Sequence, residues 1–424
     1  MKLTSIKGMN DILPPEIHIW QTLEQSLRFI CTRFGFEEIR TPVLEQTALF
    51  KRGVGEDTDI VEKEMYSFTD KGGENISLRP EGTASVVRSL VENSWFRANP
   101  VTKLYYIGPM YRYERPQKGR FRQFNQFGIE LLGVQDSTAD VEVIALMDML
   151  LQMFKLENVE LHLSSIGCDV CRPPYKKILI KELEKIKDQL PQDFLPRIQT
   201  NPQRVFDLKD ENAKKLSENL PVLMDHLCPE CANHFDGVKK GLTVLQIPFV
   251  IDPKIVRGLD YYTKTAFEFV SSDLGAQSTV CGGGRYDKLV EQFGGPATPA
   301  VGFGMGLERF VLILQEKGYN VPTNMEVSVV YDEAAKDTAF TLSHSLRAHG
   351  FKVDIDLQSK NIKNQLKRAD KVGSLASIVI GSQELGSNTV MLKDMKAHDQ
   401  KAIPADIKTV IEELNQILRR IKRD

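Results

Sequence analysis

The sequence predicts an α+β chain: a domain built on an antiparallel sheet flanked by helices, a helical insertion inside it, and a separate C-terminal α/β domain. Three observations carry this prediction. Residues 104–130 read as two strands joined by the turn ERPQKGR, whose Pro and Gly punctuate a reversal. Residues 167–237 shift to a charged, helix-forming composition, and strand character resumes at 242 with TVLQIPFVIDP. Residues 325–424 alternate strand-like runs (VSVVYD, KVDIDL, ASIVIG, TVMLKD) with helical ones at 334–349, 361–371 and 404–421. The domain boundaries follow as 1–166 with 238–322, 167–237, and 325–424 after the linker EKGYNVPTN.

Taken in order, GMNDILPP is a loop, and Pro14 and Pro15 open a helix. Ile17, Trp20, Leu23, Leu27, Ile30 and Phe34 recur at helical spacing until Gly35 stops them. FEEIRTPVLE then reads as a strand, at a sheet edge because Pro42 has no N–H to give. Residues 51–75 read as a polar, Gly-rich loop. Residues 76–93 read as strand, turn, helix, with Pro80 and Gly82 bracketing Glu81 at the corner. Glu81 or Thr83 could simply cap the helix; a carboxylate at a sharp corner could equally be aimed at an ammonium group. Residues 135–155 form an apolar core helix.

The hairpin 104–130 is unusual. Alternation places Arg112 with Glu114 on one face, and Arg122, Phe124, Gln126 and Glu130 on one face of the return strand. A cation, an aromatic ring, an amide and a carboxylate in a row suit gripping a polar ligand better than packing. The turn adds Arg115, Lys118 and Arg120. Such a cluster is either a solvated loop or a site for phosphates.

The insertion begins with Cys168-x-x-Cys171 and ends with Cys228-x-x-Cys231, 56 residues apart. Two such pairs suit tetrahedral zinc, though zinc ribbons usually leave about 15–20 residues between them. Inert thiols and redox chemistry are the other readings. Further on, Arg257 precedes Gly258 and the pair Tyr261–Tyr262, and GGGRYD at 282–287 lets backbone approach a ligand closely or makes a plain turn. PATPAVGFGMGLERFVLIL runs a Gly-rich strand into an apolar helix headed by Glu308 and Arg309. In the last domain Lys360, Lys363, Lys367, Arg368 and Lys371 gather around one helix, as a solvated face or a phosphate-binding one.

Composition bounds the function classes. A chain of 424 residues with 42% hydrophobic and 26% charged residues is that of an ordinary globular protein of two or three domains. A net charge of −2 leaves any nucleic-acid contact to local basic surface. No run of about 18 apolar residues suggests a membrane span, and MKLTSIKGMNDILPPE lacks the apolar core of a secretory signal. Six cysteines in a chain this long do not suggest a disulfide scaffold. The cytoplasm is the expected compartment.

LYYIGPMYRYERPQKGRFRQFNQFGIE resembles motif 2 of the class II aminoacyl-tRNA synthetases, and the helix and strand around Pro42 and the segment 296–314 resemble motifs 1 and 3. VRGLDYY at 256–262 and TVCGGGRYD at 279–287 resemble the histidine-specific signatures of the histidyl-tRNA synthetases. The resemblance implies a class II synthetase fold with a C-terminal anticodon-binding domain. It implies a homodimer, and a reaction among L-histidine, ATP with Mg²⁺, and tRNA(His). Arg112 and Arg257 would act on the α-phosphate. Glu81, Gly82, Thr83, Gln126, Glu130, Tyr261, Tyr262 and Tyr286 would hold histidine. Arg112, Glu114, Phe124 and Arg309 would hold ATP, and Arg115, Lys118, Arg120 and Arg122 would touch the tRNA acceptor end. It does not identify protein ligands for Mg²⁺. A non-catalytic histidine-binding regulator lacks such a C-terminal domain. A synthetase for another amino acid would not carry RGLDYY and CGGGRYD. A pure RNA-binding module leaves the Glu81, Gln126 and Glu130 constellation without a use.

Overall fold

Apolar residues three and four apart build the first helix, α1 (Ile17–Arg33), which buries Ile19, Trp20, Leu23, Leu27, Ile30 and Cys31. Gly35 follows at φ +73, the left-handed geometry that ends a helix at least cost. The computed structural model describes residues 3–55, 58–208, 210–256, 258–272, 279–358 and 360–421. They form two compact units, Met1–Asn320 and Val321–Asp424.

The strand expected after α1 is broken in two. Only β1 (Glu37–Glu38) and β2 (Leu44–Gln46) pair, on either side of Pro42. The stretch read as a loop, 51–75, carries structure: α2 (Thr47–Val54) ends in it, and β3 (Ser67–Thr69) folds back onto β4 (Asn75–Leu78). The Asp70 carboxylate closes that turn by accepting from the N–H groups of Gly72 and Glu74. The three short strands form their own sheet in the order β2-β4-β3.

The large sheet has eight strands. It comprises β1, β5 (Thr102–Tyr111), β6 (Gln123–Leu132), β7 (Val159–Ser165), β8 (Val250–Ile251), β9 (Thr263–Ser271), β10 (Thr279–Arg285) and β11 (Ala300–Gly306). Their order is β1-β5-β6-β11-β10-β9-β7-β8, antiparallel throughout except at the parallel edges β1 and β8. This is the antiparallel, helix-flanked sheet that the sequence predicts. Helix α3 (Thr83–Glu92) packs with Tyr106, Tyr261, Tyr262 and Tyr286 in one apolar cluster. Helix α4 (Thr138–Met153) packs against α1, β6 and β11.

Between β7 and β8 the chain leaves for four helices: α5 (Arg172–Ile186), α6 (Arg197–Thr200), α7 (Glu211–Ser217) and α8 (Pro229–Val244). Tyr175, Leu179, Leu183, Phe194, Ile198 and Leu223 give them a core of their own. Short α9 (Leu289–Gln292) and α10 (Leu307–Glu316) complete the first unit.

The second unit is a five-stranded sheet of order β13-β12-β14-β15-β16. Four strands match the expected ones: β12 (Val327–Tyr331), β13 (Val353–Ile355), β14 (Ala376–Ile380) and β15 (Thr389–Asp394). β16 (Asp399–Pro404) was hidden in a polar sequence because all but one of its residues are exposed. The helices are α11 (Lys336–Ala348), α12 (Ile362–Lys371), the short α13 (Ser382–Ser387) and α14 (Ile407–Ile421). On α12, Arg368 holds Asp354 through two 2.9 Å bonds, while Lys360, Lys363, Lys367 and Lys371 are exposed. No helix among the described residues is long and apolar enough to cross a membrane.

Candidate active site

Register builds the floor of the site. Odd-numbered residues of β6, Phe127, Ile129 and Leu131, are buried in the core, and Phe127 meets Phe303 edge-on at 5.6 Å. The even-numbered residues face the other way. Gln126 pairs across to Gly108 and Gly306, and Glu130 to Leu104 and Gly302. Gly302 is required there: a Cβ would collide with the Glu130 carboxylate and the Ile129 carbonyl.

Above this floor lies a cleft of about 1100 Å³, measured out to its open mouth. Of the residues singled out from the sequence, Glu81, Thr83, Arg112, Glu114, Arg120, Phe124, Gln126, Tyr261, Tyr262 and Arg309 line it. Glu130 and Tyr286 lie beneath: Thr83 Oγ1 donates to Glu130 Oε1 at 2.7 Å, and the Tyr286 hydroxyl donates to Glu130 Oε2. Gly82 serves through its backbone, donating N–H to Gln126 Oε1 at 3.1 Å while its bare α-carbon lies against the Tyr106 ring. Glu81 does what the plainer reading expects and caps α3: its two oxygens accept from Thr83 N at 2.7 Å and Ala84 N at 2.8 Å. It also lines the cleft, so the capping bonds fix a carboxylate at the wall.

Arg112 leaves the end of β5, donates Nε–H to the Pro80 carbonyl at 2.9 Å and lies 5.2 Å over the Phe124 ring. Buried Glu114 pairs with Arg120 and sits 4.0 Å from Arg112. Arg309 reaches across to the carbonyls of Gly119 and Thr279 at 3.2 and 2.5 Å. Arg257 lies outside the described residues; its neighbours Val256 and Gly258 line the cleft.

The four cations assigned to the hairpin turn do not form one cluster. Gly119, at φ +70, closes a tight turn over residues 117–120 that directs Arg120 into the cleft. Arg122 instead stacks 3.9 Å over Tyr113, Lys118 pairs with Glu316, and Arg115 is exposed.

Sequence reasoning missed two lining carboxylates. Glu268 accepts from Thr279 Oγ1 at 2.9 Å. Glu308, noted only as the head of a helix, accepts from Asn125 N at 2.7 Å through Oε1. Its Oε2 is buried and has no hydrogen-bond partner among the described residues. The Gly306–Leu307 corner before it was the available signal, since a carboxylate at a helix start beside a glycine-lined floor has the same form as Glu81.

Burial dominates the electrostatics. It pushes the Glu130 carboxyl up to about 8 against the bonds from Tyr286 and Thr83, and Glu308 up to about 7. Burial also raises Glu81 despite its bonds from Ala84 and Thr83. A carboxyl raised by folding holds its proton longer in the native state than in the unfolded one. Its contribution is therefore most favourable below its ordinary value and fades as pH rises through the native one. For Glu130 that window runs from 4.5 to about 8 and spans roughly 5 kcal/mol. Thermal stability of the ligand-free protein is expected to fall across it, and Glu130→Gln to flatten the fall. Parallel melting curves for the two proteins from pH 5 to 8 would refute this.

Comparison with known proteins gives one family. The family model described as "Histidyl-tRNA synthetase" matches residues 8–172 and 177–310, and the one described as "Anticodon binding domain" matches 310–417. The histidine–tRNA ligase of Caldanaerobacter subterraneus subsp. tengcongensis is 46% identical over 404 residues, 94% of this chain and 97% of that one. The histidine–tRNA ligase of Thermoanaerobacter pseudethanolicus is 46% identical over 418 residues, 98% and 99% of the two chains. Apo histidyl-tRNA synthetase from S. aureus superposes with a TM-score of 0.82 at 36% identity, covering 97% of this chain and 100% of that one.

Proposed function

The chain belongs to the histidyl-tRNA synthetase family, and from that premise we propose that its cleft converts L-histidine and ATP to histidyl-adenylate and pyrophosphate and then transfers the histidine to tRNA(His). It is an aminoacyl-tRNA ligase. In the first step a carboxylate oxygen of histidine attacks the α-phosphorus of ATP, the bond to the β-phosphate oxygen breaks, and pyrophosphate leaves. In the second, a hydroxyl of the 3′-terminal ribose attacks the histidyl carbonyl and AMP departs.

The observation that carries this reading is the meeting of two sets of polar groups in one cleft: Glu81, Thr83 and Gln126, with Glu130 beneath, and the cations Arg112, Arg120 and Arg309. Two anionic reactants must meet, so the main task is to place positive charge where they do. Arg112 takes that role, and Arg257 joins it by family resemblance. Phe124 and Arg309 hold the two faces of adenine and Glu114 reads its edge. Glu81, Gly82, Thr83 and Gln126, backed by Tyr261, receive the ammonium end. Glu130, Tyr262 and Tyr286 face the imidazole. Buried acceptors of this kind disfavour side chains that would leave them unpaired.

ATP would enter with Mg²⁺. The unpaired oxygen of Glu308 suits a hard cation, which makes Glu308 its holder in this reading. Bound there, the ion would neutralise phosphate charge. Arg115, Lys118, Arg120 and Arg122 stay assigned to the acceptor end of tRNA, with exposed Arg115 and Lys118 foremost. The reading extends, on family resemblance, to the domain limits 1–166 with 238–322, 167–237 and 325–424, to a homodimer and to the cytoplasm. The test is pyrophosphate exchange with each of the twenty amino acids, without tRNA. Only histidine is expected to support it. Exchange with another amino acid at a comparable rate, or with none, would overturn the assignment.

A further inference from the structure

We propose that Cys168, Cys171, Cys228 and Cys231 bind one structural zinc ion that clasps the two ends of the helical insertion. The long gap between the pairs counts against a zinc ribbon only if the intervening chain is a hairpin. Here the chain between them folds as helices α5–α7 around a core of their own and returns to its starting point. One pair lies where the chain leaves β7 and enters α5. The other lies at the start of α8, which leads back to the sheet.

The four sulfurs lie within 4.8 Å of one another. Cys168 Sγ is 3.7 Å from Cys171 Sγ and 3.8 Å from Cys228 Sγ. A regular tetrahedron with Zn–S bonds of about 2.3 Å has sulfur–sulfur edges of about 3.8 Å. These separations are far too long for disulfide bonds, at about 2.05 Å, and all six cysteines are free.

The backbone is arranged for charged sulfur as well. Cys228 N–H donates to Cys171 Sγ at 3.1 Å and Val170 N–H to Cys168 Sγ at 3.4 Å. Gly167, at φ +63, makes the turn that brings the first pair round, and a Cβ there would press on Cys171. Redox use explains two neighbouring thiols but not four converging on one point. Inert thiols do not explain the amide donors.

The clasp bears on the first unit. Arg172, next to Cys171, donates Nε–H to the Ile166 carbonyl at 2.9 Å and a second N–H to the carbonyl of Tyr262, which lines the cleft. The metal would thus fix the insertion to the sheet where the sheet carries the cleft wall. This inference stands on the cysteines alone and does not rest on the aminoacylation reading.

The test is elemental analysis of the full chain purified without chelator. About one zinc per chain is expected, falling below about 0.2 in Cys168→Ser/Cys231→Ser. Wild-type protein stripped of metal under reducing conditions should take up one Co²⁺ and develop the visible absorption of a tetrahedral thiolate site, which keeps the test valid if the variant fails to fold. Wild-type protein with less than about 0.2 zinc that also fails to take up Co²⁺ overturns the proposal. So does a folded double variant that keeps its zinc, or recovery of the cysteines as disulfides.

Discussion

Replacing Arg112 by alanine is expected to lower histidine-dependent pyrophosphate exchange by about 10³-fold, roughly 4 kcal/mol of transition-state stabilisation. The size follows from the charge problem. Carboxylate and triphosphate repel each other, and a guanidinium in a half-buried cleft screens that repulsion far better than water does. Arg112 is held for this by its bond to the Pro80 carbonyl and its seat over Phe124. Those contacts make its position independent of any ligand, so little reorganisation is left for the moment of reaction. Arg112→Lys should recover little, because an ammonium on a flexible stem cannot hold Pro80 and address a phosphate with a planar fork at once. The expected loss lies mainly in kcat, with the melting temperature close to that of the wild type. Exchange within about tenfold of wild type in a folded Arg112→Ala protein would remove Arg112 from the chemistry.

Much of the site was legible because its residues occupy rigid, periodic elements. Alternation along 104–130 places Arg122, Phe124, Gln126 and Glu130 on one face; the structure keeps the last three continuous from the cleft wall to its floor, while Arg122 turns onto Tyr113. The Pro80–Gly82 corner was equally plain. The sequence could not decide whether Glu81 caps a helix or meets a ligand, and the structure answers that it does the first while standing where it could do the second.

The illegible parts have two physical causes: side-chain contacts that no periodicity displays, and a strand with no apolar alternation. The directions of Arg120, Arg122 and Lys118 are set by Glu114, Tyr113 and Glu316, and local sequence carries no trace of that last partner. β16 escaped because an exposed edge strand has no apolar alternation to read. Arg79, in the same corner as Glu81, shows how distant partners decide a side chain's use. It is spent on the carbonyls of Thr41 and Pro109, joining the small sheet's last strand to β5. Arg285 stands in the GGGRYD segment beside Tyr286, yet it is fully buried and is not among the residues that line the cleft.

Arg285 supports the second large effect. Its side chain is fully buried, and so is that of Asp140 on α4, which accepts from its Nε and Nη2. The remaining donors go to the carbonyls of Val134 and Asp136 and to Asp287, and His234 Nε2 lies 3.2 Å from Asp140. Burial works to raise the Asp140 carboxyl, but His234 and Arg285 outweigh it and hold the group below the usual carboxylate range. Asp140→Ala therefore leaves the buried Arg285 guanidinium with Asp287 as its remaining carboxylate and three of its bonds lost, and is expected to cost about 3 kcal/mol, read as a lower urea midpoint. Replacing both partners at once, Asp140→Leu with Arg285→Met, should return most of that loss, because the penalty comes from the under-compensated buried charge rather than from losing the pair. The damage should also reach the site. Arg285 fixes the end of β10, and the next residue is Tyr286, whose hydroxyl orients Glu130. The folded Asp140→Ala protein is therefore expected to show a higher KM for histidine with the KM for ATP nearly unchanged. A urea midpoint equal to wild type, or equal changes in both KM values, would show that the buried pair neither holds the fold nor positions the histidine-binding floor.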